Sequence, residues 1–252
     1  MRIKVISCDV LYRELCYAAA RSQHQVDVQF LTKGLHDEGC RPMRLRLQAE
    51  IDKTDGPKYD AIVLGYALCG NGTVGLTARS MPVVIPRAHD CISLLMGSKK
   101  AYESYFESHH GVYFRSTGWL ERDFDSPQIQ SELVRQRTGA GYELNDLIAR
   151  YGEDNGRYLF EQFSNYQQSY KQLTFIKTGI EPNDNFEQKA REEAIRRGWK
   201  YEEYKGSMRL FDAMVAGEWS QEEFLIVPPG HRVKESYDDK LIDIEPLRKA
   251  DE

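Results

Sequence analysis

Three cysteines stand at the ends of three apolar runs: Cys8 closes "IKVISC", Cys69 closes "AIVLGYALC" and Cys91 closes "PVVIPRAHDC". A thiolate is a soft anionic donor, and three of them brought together repel one another until a cation neutralises them. Gathered in one place they suit Zn2+ or an iron–sulfur cluster. In the first case His89, two residues before Cys91, completes a tetrahedral set of three cysteines and one histidine. In the second, three cysteines hold a [4Fe-4S] cluster and leave one iron open to substrate. His89 and Asp90 are also placed to serve as acid and base beside the metal. Spacing alone does not decide the matter, because no CxxC pair occurs and buried cysteines also act as small hydrophobes. Cys16 falls inside an amphipathic segment and reads as core; Cys40, in the polar "HDEGCRPM", reads as an incidental thiol.

Other residues gather around the same runs. Arg87 and Arg115 present planar forks suited to an anionic substrate. The turn "GNGTVG" brings Gly70, Asn71 and Gly72 to a strand end, where glycine lets backbone N–H groups approach an anion. It is not a GxGxxG that opens a helix after the first strand, nor a GxxxxGK[ST], so it reads as a site-lining turn rather than a nucleotide fingerprint. "YFRSTGWLER" puts Tyr113, Arg115 and Trp119 in one loop-like segment suited to a substrate lid. Asp9 reads as a helix cap. Glu14 lies six residues past Cys8, so its reach to a metal there is doubtful.

The elements that must position these residues alternate. "IKVIS", "VDVQFL", "AIVLGY" and "PVVIP" read as strands; "DVLYRELCYAAARS", "RLRLQAEIDKT" and "LMGSKKAYESYFESHH" read as helices. Alternation resumes with "LTFIKTG", "NFEQKAREEAIRRGW", "KYEEYKG", "SMRLFDAMVAGEW" and "EFLIVPPGH". The pattern predicts one α/β domain over 1–252, a doubly wound, mostly parallel Rossmann-like sheet with a helical insertion at about 115–170. Ligands of such sheets bind beyond the carboxyl ends of the strands, where Cys8, Cys69 and Cys91 would stand together.

Bulk properties narrow the partners. A net charge of −5 gives no reason to expect nucleic acid or an anionic membrane surface. No apolar run approaches the ~20 residues of a membrane span, and "MRIKVIS" lacks the apolar core of a signal peptide. Five cysteines, all within the first 91 residues, do not form a disulfide scaffold. A cytoplasmic protein with a small-molecule substrate is expected.

"CDVLYREL", "LGYALCGNG", "IPRAHDCISLLMGS", "TGWLE" and "FLIVPPG" together resemble the bacterial and archaeal family called domain of unknown function 1638. The resemblance implies that Cys8, Cys69 and Cys91 are family features, with Glu14, His89 and Asp90. It also implies a link to corrinoid-dependent methyltransferase systems, and so to one-carbon metabolism. The expectation is therefore a metal-dependent enzyme on a small anionic or thiol substrate. Cys8, Cys69 and Cys91 are its ligands to zinc or a [4Fe-4S] cluster. His89, Asp90 and Arg87 are its catalytic groups, with Arg115, Trp119 and Glu14 against substrate. Its partner is a corrinoid protein or methyltransferase. The competing expectation is a non-catalytic accessory protein that binds a metal or small molecule for such a system.

Overall fold

The computed structural model describes residues 1–54, 56–122, 144–159 and 170–247. The first third runs β1 (Arg2–Cys8), a 3-10 turn (Asp9–Leu11), α1 (Tyr12–Arg21), β2 (Gln25–Leu31), α2 (Leu35–Glu38), α3 (Cys40–Thr54), β3 (Ala61–Gly65) and β4 (Val83–Pro86). Next come α4 (Cys91–Met96), α5 (Lys99–Ser108), β5 (Val112–Ser116), α6 (Thr117–Glu121) and α7 (Leu144–Tyr151). Last are β6 (Gln172–Lys177), α8 (Asn185–Arg197), β7 (Lys200–Lys205), α9 (Arg209–Ala216), β8 (Phe224–Val227), β9 (His231–Glu235) and β10 (Ile242–Pro246).

The molecule is mixed α/β with a mostly parallel central sheet of order β2-β1-β3-β4-β8. β3 and β4 are buried along their whole length, which is why "AIVLG" and "VVIP" carry no polar alternation. β8 runs antiparallel to β4 and closes that edge. The order reverses between β1 and β3, because the chain goes out to β2 and returns across β1. The crevice beyond the carboxyl ends of β1 and β3 is therefore the place where such a sheet takes a ligand. Packing fixes that end of the pair. Ser7 donates to the Gly65 carbonyl at 3.2 Å. A Cβ on Gly65 would come within 2.1 Å of the Ser7 hydroxyl, so only glycine lets the strands meet.

A second, all-parallel sheet, β5-β6-β7, takes strands that the sequence pattern assigned to a single sheet. "VYFRS" belongs to it as β5, where the sequence reads as a lid loop. Its two-residue period is real but masked, since both faces are covered. Val112 and Phe114 pack with the main core, whereas Tyr113 packs with Leu173, Phe175, Ala190 and Ala194 on the opposite face. The segment "LMGSKKAYESYFESHH" breaks into α4 and α5 at Gly97, whose left-handed φ of 90° ends one helix just before the Ser98 hydroxyl caps the next. The predicted insertion at 115–170 begins later than expected, since Arg115 and Ser116 are strand; residues 123–143 and 160–169 of it lie outside the described residues. The hairpin β9–β10 had no counterpart in the sequence reading, and its Glu245 and Pro246 come from a tail that reads as frayed.

The two sheets meet where α6 packs on the 3-10 turn after β1. Gly118 touches the backbone there: an added Cβ would lie 1.8 Å from the Val10 carbonyl oxygen. The Arg13 Nε donates to the Glu121 carboxylate at 2.9 Å across the same seam. Ser116 caps α6 by accepting from the Trp119 N–H at 3.4 Å. Gly118→Ala should therefore force the seam apart, with a loss of about 3 kcal/mol in urea denaturation. The same substitution at Gly152, where nothing lies within 4 Å, meets no such wall and should cost less.

Candidate functional site

Cys8 ends β1 and is 2 % exposed; Cys91 opens α4 and is 7 % exposed; Cys69 lies in the turn after β3. The turn is tied to the start of α4, for Leu68 and Cys69 donate their N–H groups to Ala88 and His89 carbonyls at 3.0 and 2.9 Å. Cys69, Gly70 and Asn71 are all left-handed, with φ of 47°, 61° and 68°. For a cysteine that conformation is strained, and such strain survives only where the surroundings impose it.

Burial pushes all three thiols well above their ordinary range. The groups also act on one another in a ring: Cys69 raises Cys8, Cys91 raises Cys69, and Cys8 raises Cys91. Asp9 adds to the effect at Cys8, and Asp90 at Cys91. Backbone hydrogen bonds at Val10, Ala67 and Cys91 oppose it, and so do two side chains. Lys33 favours the Cys8 thiolate, and the indole of Trp119 favours the Cys91 thiolate. The three thiols, one at a strand end, one in a turn and one at a helix start, are thus held protonated. In kind, this donor set fits a soft cation, which removes the protons and the mutual repulsion together. Among the described residues, however, no group of three or more His, Cys, Asp or Glu side chains is already arranged to hold an ion.

The remaining expected residues separate into those at this edge and those committed elsewhere. Trp119 belongs to the edge, as does Asp90, which caps α4 by accepting from the Ser93 N–H at 3.0 Å. His89 turns toward α5, its Nε2 lying 3.6 Å from the Glu103 carboxylate. Arg87 donates to the backbone carbonyls of Gln221 at 2.9 Å, Lys240 at 3.0 Å and Ile242, so its fork clasps the C-terminal hairpin. Arg115 is 11 % exposed and pairs with Glu193 of α8, at 3.0 Å through Nε and 3.2 Å through the second arm. Burial opposes ionisation of that carboxyl, and the guanidinium outweighs it, holding Glu193 below the usual range. In the glycine turn, Gly72 donates to the Cys69 carbonyl at 3.2 Å and Asn71 bonds Glu235.

Two residues at the edge have no place in the sequence reading. Lys33, two residues past β2, is 5 % exposed, and its ammonium lies 5.5 Å over the Trp119 ring. Its backbone N–H donates to Asp9 at 2.9 Å, which holds it beside Cys8. Tyr66, the residue after β3, is 1 % exposed and its hydroxyl has no hydrogen-bond partner among the described residues. A lysine and a tyrosine directly after strands were the available signal.

A family model described as a protein of unknown function, DUF1638, matches residues 30–215. The chain belongs to the DUF1638 family. Cys69, His89, Asp90 and Cys91 of this DUF1638 chain lie within the matched residues, and Cys8 and Glu14 precede them. No curated protein and no solved structure matches the chain. Among the described residues, no helix is long and apolar enough to cross a membrane.

Glu14 sits in the seam between the sheets. It is 3 % exposed; one oxygen accepts from the Thr178 hydroxyl at 3.1 Å, and the other has no hydrogen-bond partner among the described residues. Burial pushes its carboxyl up to about 7, with the charges of Glu181 and Glu121 adding to the effect. An acid whose proton is held more tightly in the folded state contributes most stability below its unfolded value of about 4.3 and loses that contribution as pH rises toward 7. The loss across that window is about 3 kcal/mol. Glu14→Gln retains an acceptor for Thr178 and cannot ionise. Relative to wild type it should gain about 3 kcal/mol between pH 4.5 and pH 8 in urea denaturation. A gap between the two proteins that stays constant with pH would show that Glu14 titrates normally.

Proposed function

We propose that the chain is a metal-dependent enzyme whose thiols at Cys8, Cys69 and Cys91 hold zinc or a [4Fe-4S] cluster. The central sheet is read as the doubly wound, Rossmann-like unit that carries them. One observation carries this reading: Cys8 ends β1, while Cys69 stands in a left-handed turn whose N–H groups at Leu68 and Cys69 bond the Ala88 and His89 carbonyls, directly before Cys91 opens α4. A grouping that is unfavourable as thiolates and leaves a cysteine in a left-handed turn is poorly explained by packing alone. Movement of that turn onto the ion is part of the proposal.

When bound, zinc supplies Lewis acidity toward a thiol substrate, and a cluster supplies an iron with an open position. The chain's own residues then have distinct tasks. Trp119 lies over Lys33, and its indole favours the Cys91 thiolate. Lys33 places positive charge beside Cys8, favouring loss of its proton. Asp90 locks the first turn of α4 and with it the direction of Cys91. The substrate is a small anion or thiol, and methyl transfer in one-carbon metabolism is the reaction class that unites a thiolate metal site with the corrinoid-linked family resemblance.

Elemental analysis and a visible spectrum of anaerobically purified protein test this. The expected result is stoichiometric zinc, or absorbance near ~400 nm with iron and sulfide. Cys8→Ser, Cys69→Ser and Cys91→Ser should each lower metal content severalfold and reduce thermal stability. Cys16→Ser and Cys40→Ser should leave metal content unchanged. Equal metal content in all five variants, or none in the wild type, overturns the site. A bound metal with no turnover would assign the chain to the accessory role instead.

A further inference from the structure

The second sheet ends in a cavity of its own. β6 and β7 run parallel, and their last residues, Lys177 and Lys205, stand in register beside one another. Beyond these two carboxyl ends opens a cavity of about 410 Å3, whose lining includes Lys177, Thr178, Glu181, Glu203, Tyr204 and Lys205. The carboxyl ends of parallel strands are where α/β sheets take their ligands. Hydrogen-bond donors converge at this one. The Thr178 N–H donates to the Glu181 carboxylate at 2.6 Å, the Gly179 N–H at 3.0 Å and the Thr178 hydroxyl at 3.3 Å. Gly179 is left-handed, with φ of 86°, a conformation that glycine adopts freely. Successive N–H groups in such a turn form a concavity suited to an anion. No described atom lies within 4 Å of the place a Gly179 Cβ would take, so the turn is open on that side.

The anion held there is the chain's own, and it is held incompletely. Lys177 is committed to Glu187 at 2.6 Å and to Glu203 at 3.7 Å. Lys205 is exposed and forms no ion pair with a described residue, and neither does Glu181. The Thr178 hydroxyl has a single proton and is shared with Glu14, 3.1 Å away. Glu181 itself stands between β6 and α8, in a stretch that is neither helix nor strand. We propose that this cavity binds a small monocarboxylate, which displaces Glu181 from the Thr178 and Gly179 N–H groups and pairs with Lys205. The incoming carboxylate keeps the two N–H bonds and gains an ammonium that Glu181 lacks. Exchange of one carboxylate for another leaves the charge of the cavity unchanged. A phosphate dianion would add negative charge beside Glu203, which lines the same cavity. The site belongs to the second sheet and does not depend on how the cysteine edge is read.

Gly179 supplies a local reporter. Labelling with [15N]glycine gives one backbone signal for each of the 19 glycines, and the signal lost in Gly179→Ala is that of Gly179. Acetate is titrated into the full chain at ionic strength held constant with chloride. The Gly179 signal should shift saturably, while those of Gly70 and Gly72 in the cysteine-bearing turn should not. Glu181→Ala removes the internal competitor and should tighten acetate about tenfold. Lys205→Met, at an exposed position, should weaken it about threefold. The proposal is overturned by no saturable shift at Gly179, by equal shifts at all glycines, or by unchanged affinity in Lys205→Met. Phosphate binding more tightly than acetate overturns it as well. So does a Glu181→Ala protein that binds acetate no better than wild type, or one that no longer folds, because Glu181 is then a structural clasp. Metal content has no part in this readout, so its failure leaves the cysteine site standing, and the reverse holds too.

Discussion

The contact of Gly118 with the Val10 carbonyl governs the architecture. It lets the start of α6 lie directly on the turn that follows β1, with no side chain between the two backbones. That approach brings the carboxyl end of β5 to the carboxyl end of β1 and carries Trp119 over Lys33 and toward Cys91. The candidate site is therefore built by both sheets. Strand ends of the first supply the sulfurs, and the helix that follows β5 supplies the indole. Arg13 with Glu121 and Glu14 with Thr178 hold the same seam from α1.

The chemistry of the edge follows from how far it is removed from water. A thiol at the surface ionises at about pH 8.5; at this edge burial keeps the proton on sulfur well beyond that. Neighbouring Asp9 and Asp90 reinforce that state, and Lys33 and Trp119 resist it. Opposed influences on the same sulfurs leave their protonation open to whatever cation or anion arrives.

Most of the central sheet was legible because its strands are uninterrupted apolar runs and its helices carry periodic leucines, as at Leu11 and Leu15. The second sheet was less so. β5 reads as a loop because Tyr113 and Arg115 look polar or amphipathic, yet both are covered, one by Leu173 and Ala190 and the other by Glu193. The same effect misdirected the arginines. A sequence shows a fork and not its partner, and Arg87 finds its partners in carbonyls more than 130 residues away. Cys8, Cys69 and Cys91 stood out in the sequence through their position at run ends. Lys33 and Tyr66 did not, since an isolated lysine or tyrosine acquires meaning only from what surrounds it.

The antiparallel partner of β4 is β8, so the central sheet is finished by nearly the last strand of the chain. On the ribosome, β4 emerges long before Phe224–Val227, and the whole of the second sheet is made in between. Until β8 arrives, the wholly apolar β4 presents an open edge to other chains. The nascent protein accordingly carries its greatest risk of misassembly late in synthesis, after β4 exists and before the strand that seals it is available.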